Sequence, residues 1–139
     1  MIKTYSIQEI NKILNGTILG NTSHQITAPE ELELAKNTEI SFIGGKKYEK
    51  LWETSKACAA IVNDDISIKP GENRVFIKVK NADLAMSQVL AFFAPPSPVF
   101  RKNIHATAVI DQTASIGDET KIGAGSYIGL NVQIGKNVT

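Results

Sequence analysis

Six isoleucines spaced six residues apart, Ile104, Ile110, Ile116, Ile122, Ile128 and Ile134, constrain the end of this chain more than any other feature. A helix cannot hold them on one face, because about 3.6 residues per turn sweeps a sixfold period around its surface. A coil of short parallel strands can. The fifth place of each hexad is small or β-branched: Ala108, Ala114, Thr120, Ser126, Val132 and Val138. If three hexads make one flat-sided turn, residues eighteen apart stack, Ile104 on Ile122, Ile110 on Ile128 and Ile116 on Ile134. Gly117, Gly123, Gly129 and Gly135 each follow an isoleucine and are expected at corners, where a Cβ crowds or φ is positive.

This spacing resembles the hexapeptide repeat of the left-handed parallel β-helix, whose alternative is an antiparallel sandwich with glycine turns. Two coils bury too few isoleucines to offset the entropy of ordering them, and solenoids need about three or more units with a protected last one. The 139 residues are therefore expected to be a fragment of a longer chain, cut within the coil.

Upstream, strands and helices alternate. Ser6 with Glu9 makes a capping box ahead of Ile7, Ile10, Ile13 and Leu14, which predicts a helix over about 7–15 stopped by Gly16. Strands are predicted at 17–19, 40–43, 59–62 and 75–79. Tyr48, Leu51, Trp52 and Ser55 at helical spacing predict a helix over about 46–55, and Asn81 caps another that runs to Phe93 and dies at Pro95-Pro96. Residues 27–36, broken by Pro29, are predicted to be loop with a helical turn. The reading is an α/β domain with a mixed sheet over residues 1–94, a stiff linker over 95–103 carrying Pro95, Pro96 and Pro98, and the coil over 104–139.

Composition excludes several classes. Net charge is +1 with lysines and arginines scattered among the acids, so nucleic acid is not an expected partner. No apolar run approaches the ~18 residues of a membrane span, and the start lacks the charged-then-apolar pattern of a secretion signal. Cys58, the sole cysteine, sits in an apolar run and reads as buried filler, which excludes an internal disulfide and makes the cytoplasm the default location. His24 and His105 stand apart with no ligand-spaced partners, so neither a metal nor a cofactor is predicted.

One stretch has the makings of a binding site. Phe42 and Tyr48 flank the glycine turn Gly44-Gly45, and two aromatics so placed can hold a flat ring between them. Glycine lets backbone approach a ligand, while Lys46 and Lys47 can meet phosphates at a helix start. The competing reading is packing, with both aromatics in the core and the lysines on a solvated face.

A small α/β domain, a proline linker and hexads opening with Ile104-His105-Ala106-Thr107-Ala108-Val109-Ile110-Asp111 resemble the N-terminal part of the LpxD family. These are the UDP-3-O-(3-hydroxyacyl)glucosamine N-acyltransferases of lipid A biosynthesis. The likeness spans Ile40-Ser41-Phe42 through Tyr48, the strand 59–62, Val79-Lys80-Asn81 and the hexads. It implies a uridine-binding first domain, with uracil between residues matching Phe42 and Tyr48. It also implies transfer of a 3-hydroxyacyl group from acyl carrier protein to the 2-amine of UDP-3-O-acylglucosamine, by a cytoplasmic homotrimer whose catalytic histidine lies in a later coil. No catalytic residue is then expected in this chain, His105 pointing outward from the first coil, and the fragment is expected to be inactive. The family pattern Phe-x-x-Asn-Pro-Lys-Tyr is broken here, with Gly45 in the asparagine place and Lys46 in the proline place. Gly45 has no amide to read the uracil edge. The alternatives are a non-catalytic nucleotide-sugar-binding or scaffold module, or another hexapeptide-repeat enzyme such as a nucleotide-sugar acetyltransferase or a carbonic-anhydrase-like protein.

Overall fold

The computed structural model describes residues 2–97, 99 and 103–139. It divides into two compact units, Met1–Pro95 and Pro96–Thr139. Part of the expected linker, Pro98 included, lies outside the described residues.

In the first unit, α1 (Ile7–Leu14) opens on the capping box: Ser6 Oγ accepts from the Glu9 amide, and the Glu9 carboxylate accepts from the Ser6 amide. Its end is set by Asn15, which takes the left-handed conformation (φ 51°) one residue before the glycine expected to do so. Five strands follow: β1 (Thr17–Gly20), β2 (Ala28–Pro29), β3 (Glu39–Ile43), β4 (Ala59–Asn63) and β5 (Val75–Val79). They form one sheet in the order β1-β5-β4-β3-β2, with β1 antiparallel to β5 and the rest parallel.

Strand alternation sends β3, β4 and β5 side chains to both faces, and both are covered. Ile40, Ile61, Ile77 and Val75 meet α1 and the later helix α3 (Ala82–Phe93) through Ile10 and Val89. Ile43, Ala60, Val62 and Phe76 meet Trp52 on the other side. Strands buried on two faces read as near-continuous apolar runs, broken in 75–79 only by the half-buried Lys78, which is why residues 59–62 and 75–79 were legible. Cys58 is buried as expected, its thiol pushed up by burial.

Two local expectations need correction. The helix over 46–55 begins instead as a 3-10 turn, Lys46–Tyr48, and only then becomes α2 (Glu49–Thr54). Gly45 stands at its cap position without a side chain, so no hydroxyl or carboxylate accepts the first amides. Residues 27–36 contain a strand as well as a turn. The Thr27 amide donates to the Thr38 carbonyl, and a regular parallel ladder would next use the amide of residue 29 for Ile40. Pro29 has none. Glu30 donates to Ile40 instead, the ladder falls out of step, and β2 ends after two residues.

In the second unit, residues eighteen apart lie in parallel register. Ile104 bridges Ile122, β6 (Val109–Ile110) pairs with β8 (Tyr127–Ile128), and β7 (Ser115–Ile116) pairs with β9 (Gln133–Ile134). The corners differ from the expected glycines. Positive φ falls at Glu119, Gly125, Asn131 and Asn137, the fourth place of each of the last four hexads, where asparagine and glycine tolerate the left-handed region. Of the glycines expected there, Gly117 is held by crowding alone: a Cβ would lie 2.5 Å from the Gly135 carbonyl carbon. Nor are all six isoleucines interior, since Ile122 is buried but Ile104 is 43% exposed.

Candidate functional site

Among the described residues no strand pairs with the outer edge of β3 beyond Ile40, because β2 has ended and the chain turns away at Glu31, whose carbonyl accepts from the Leu34 and Ala35 amides. A strand residue's N–H and C=O point to the same side and alternate along the strand. Ile40 uses that side toward β2, so Phe42 presents its main-chain donor and acceptor to the open edge.

A cavity of about 280 Å³ fills this gap at the carboxyl end of β3. Phe42 and Tyr48 both line it, with Ser41, Leu32 and Leu51 on its apolar wall and Asp83 of α3 opposite. Phe42 is half-buried against the α3 side of the core, while Tyr48 is 39% exposed. The two rings do not pack on each other; among the described residues the aromatic pairs involve Tyr5, Trp52, Phe76, Phe92 and Phe93. Glu31 and Glu33 complete the rim, so with Asp83 it is acidic. Such a rim accepts hydrogen bonds from hydroxyl or N–H groups and repels phosphates.

Gly45, Lys46 and Lys47 lie beside this cavity and not in its wall. The Gly45 carbonyl accepts the Tyr48 amide at 3.0 Å, which sets the turn that brings Tyr48 round. A Cβ at Gly45 would meet nothing within 4 Å. Lys46 and Lys47 are exposed, and the Lys47 ammonium sits 4.7 Å from the Tyr48 ring centre, a cation–π contact. The helix behind them is a 3-10 turn and six residues, too short for much of a dipole.

Three residues that the sequence reading passed over shape this corner. Asn63, at the end of β4, donates to the Gly44 carbonyl (3.0 Å) and accepts from the Ala82 amide (2.7 Å), clamping the glycine turn to the start of α3. Asp83 leaves its carboxylate over Gly44, where a Cβ would come within 3.1 Å of it. Ser41 is the third. Their shared signal is position at the carboxyl ends of parallel strands or the helix start beside them, where open α/β sheets bind ligands. Among the described residues no group of three or more His, Cys, Asp or Glu could hold a metal ion, and no helix is long and apolar enough to cross a membrane.

A protein-family model described as UDP-3-O-(3-hydroxymyristoyl) glucosamine N-acyltransferase, LpxD, matches residues 23–92, from before β2 to the end of α3. The chain belongs to the LpxD family. Similar proteins include UDP-3-O-acylglucosamine N-acyltransferase 1 of Francisella tularensis subsp. holarctica, 41% identical over 117 residues, which is 81% of this chain and 33% of that protein. The UDP-3-O-acylglucosamine N-acyltransferases of Methylacidiphilum infernorum and Acinetobacter baylyi are each 30% identical, over 84% of this chain and 32% of theirs. This chain thus spans about a third of the LpxD relatives it matches. The cavity with Phe42 and Tyr48 falls inside the matched segment.

Proposed function

We propose that the first unit is the nucleotide-binding part of an N-acyltransferase of lipid A biosynthesis, and that it takes the uridine of UDP-3-O-acylglucosamine. The observation that carries this reading is the meeting of Phe42 and Tyr48 at one cavity, unstacked on each other, beside a bare strand edge. A uracil ring between them would bury two flat faces and turn its polar edge to main-chain groups. The acidic rim suits ribose hydroxyls, which directs the diphosphate outward to Lys46 and Lys47.

The second unit is the start of a left-handed parallel β-helix in this reading, supported by the eighteen-residue parallel register. The full-length enzyme would be a cytoplasmic homotrimer drawing the 3-hydroxyacyl group from acyl carrier protein, its catalytic histidine in the part of the relatives that this chain does not span. His105 fits no such role here: its Nδ1 accepts the Thr107 amide and faces the Thr107 hydroxyl at 2.9 Å. The domain limits 1–94, 95–103 and 104–139 belong to the same proposal.

The test is calorimetric titration of the chain with UDP and UDP-N-acetylglucosamine, with Phe42→Ala and Tyr48→Ala alongside. Each substitution should weaken binding about five- to a hundredfold, since ring stacking contributes on the order of 1–3 kcal/mol per base. Affinity unchanged in both variants would remove the two aromatics from the site.

A further inference from the structure

Ser41 lies between Ile40 and Phe42 on β3 and by strand alternation faces the Trp52 side of the sheet. It is fully buried, and its hydroxyl oxygen is the buried side-chain polar atom left without a hydrogen-bond partner among the described residues. The surroundings are apolar, with Ala60 across the β3–β4 register and Leu32 and Leu51 in the same cavity wall. Alanine would fill the position and leave nothing unpaired. An orphaned buried hydroxyl is destabilising and rare, so packing does not account for a serine here.

The cavity does account for it. Ser41 lines it, and Phe42 beside it offers a main-chain donor and acceptor at the bare edge of β3. The nearby turn residue Gly45 contributes no polar side chain. We propose that Ser41 is a further contact for the base: its hydroxyl turns into the cavity and hydrogen-bonds the polar edge of a uracil ring. This rests on the nucleotide reading of the site given above. A hydroxyl both donates and accepts, so it can meet a ring carbonyl or the ring N–H. Cytosine carries an amine and a bare ring nitrogen where uracil carries a carbonyl and an N–H, and a hydroxyl can meet either edge, so the contact adds affinity for both pyrimidines.

The experiment titrates the chain with UDP and with CDP, comparing wild type with Ser41→Ala, and follows thermal unfolding of each without ligand. Phe42→Ala and Tyr48→Ala serve as controls. Ser41→Ala is expected to weaken UDP about tenfold, the loss of one buried hydrogen bond. CDP should weaken by a similar factor, because a hydroxyl can pair with either pyrimidine edge. Without ligand the unfolding temperature should hold or rise, because an unpaired hydroxyl has gone. Unchanged UDP affinity in Ser41→Ala, while both aromatic variants lose binding, overturns this inference and leaves the site standing. A lowered unfolding temperature with unchanged affinity also overturns it, by giving the hydroxyl a purely structural task. Absence of UDP binding in wild type, or its survival in both aromatic variants, defeats the nucleotide reading itself and Ser41 with it.

Discussion

Placing an asparagine at position 45 should tighten uridine-nucleotide binding without harm to the fold. Gly45 has φ −174° and ψ 158°, extended backbone that any residue adopts. A side chain there enters open space, nothing lying within 4 Å of its Cβ. Losing the glycine also narrows the unfolded ensemble, which stabilises by about 0.4–1 kcal/mol. A new amide hydrogen bond to the base contributes on the order of 0.5–1.5 kcal/mol net. At about 1.4 kcal/mol per decade this lowers Kd roughly two- to tenfold. Gly45→Ala carries the backbone effect alone and is the needed control. Urea unfolding should show both variants at or above the wild-type midpoint, and calorimetry should show a lower Kd for UDP in Gly45→Asn only. Equal affinities for the Asn and Ala variants would refute the reasoning, since position 45 would then not face the base.

Arg74 donates to the carbonyls of Trp52, Ser55 and Ala57 at 3.0–3.1 Å while its guanidinium lies 3.3 Å from the Trp52 ring centre. Arg74→Ala should therefore cost about 2–4 kcal/mol by urea unfolding, and Arg74→Lys should not rescue it, because an ammonium lacks the planar fork; a loss below about 0.5 kcal/mol, the usual surface scatter, would contradict this. Gly117→Ala drives a Cβ into the Gly135 backbone and should cost about 2 kcal/mol or more, whereas Gly135→Ala meets nothing and should be near neutral. Similar proteolytic and thermal sensitivity in the two would undo the register of the second unit. The Ser6 amide, then the Ser6 hydroxyl, hold the Glu9 carboxyl below its ordinary value of 4.5. A carboxyl lowered in the folded state stabilises fully above its unfolded pKa, and that contribution fades as pH falls through the lower folded value. Ser6→Ala should move the Glu9 pKa partway back toward 4.5 in an NMR titration; no movement would remove the hydroxyl from the cap's electrostatics.

The sequence disclosed most where one physical demand acted alone. Residues 59–62 and 75–79 were legible because a sheet covered on both faces needs largely apolar strands. The eighteen-residue register was legible because Ile104, Ile110 and Ile116 recur at fixed spacing. Two residues of β2 carry no periodicity, and Pro29 argues against a strand, so only the observed register reveals it. Of the two reasons expected for glycine after isoleucine, Gly117 shows the crowding, while positive φ falls two places further on, at Gly125, Asn131 and Asn137, because asparagine tolerates the left-handed region as glycine does. In the site, Phe42 and Tyr48 could be paired across a visible glycine turn. Asn63 and Asp83 could not, because their nearness to Gly44 depends on β4 lying beside β3 and on α3 starting where β5 ends.

The short strand and the cavity have a single cause. Pro29 withholds the amide that Ile40 needs, Glu30 supplies it out of step, and the chain leaves the sheet before reaching Phe42. A bare edge on a sheet is normally a liability, since its unpaired groups invite another strand. Here the edge is only about one residue long beyond the ladder, and Glu31, Glu33 and Asp83 ring it with charge, which a strand from another chain would have to bury. A small planar ring with its own donors and acceptors can meet Phe42 without displacing those carboxylates. In the proposed reading, the proline that weakens the sheet also limits the size and chemistry of what can complete it.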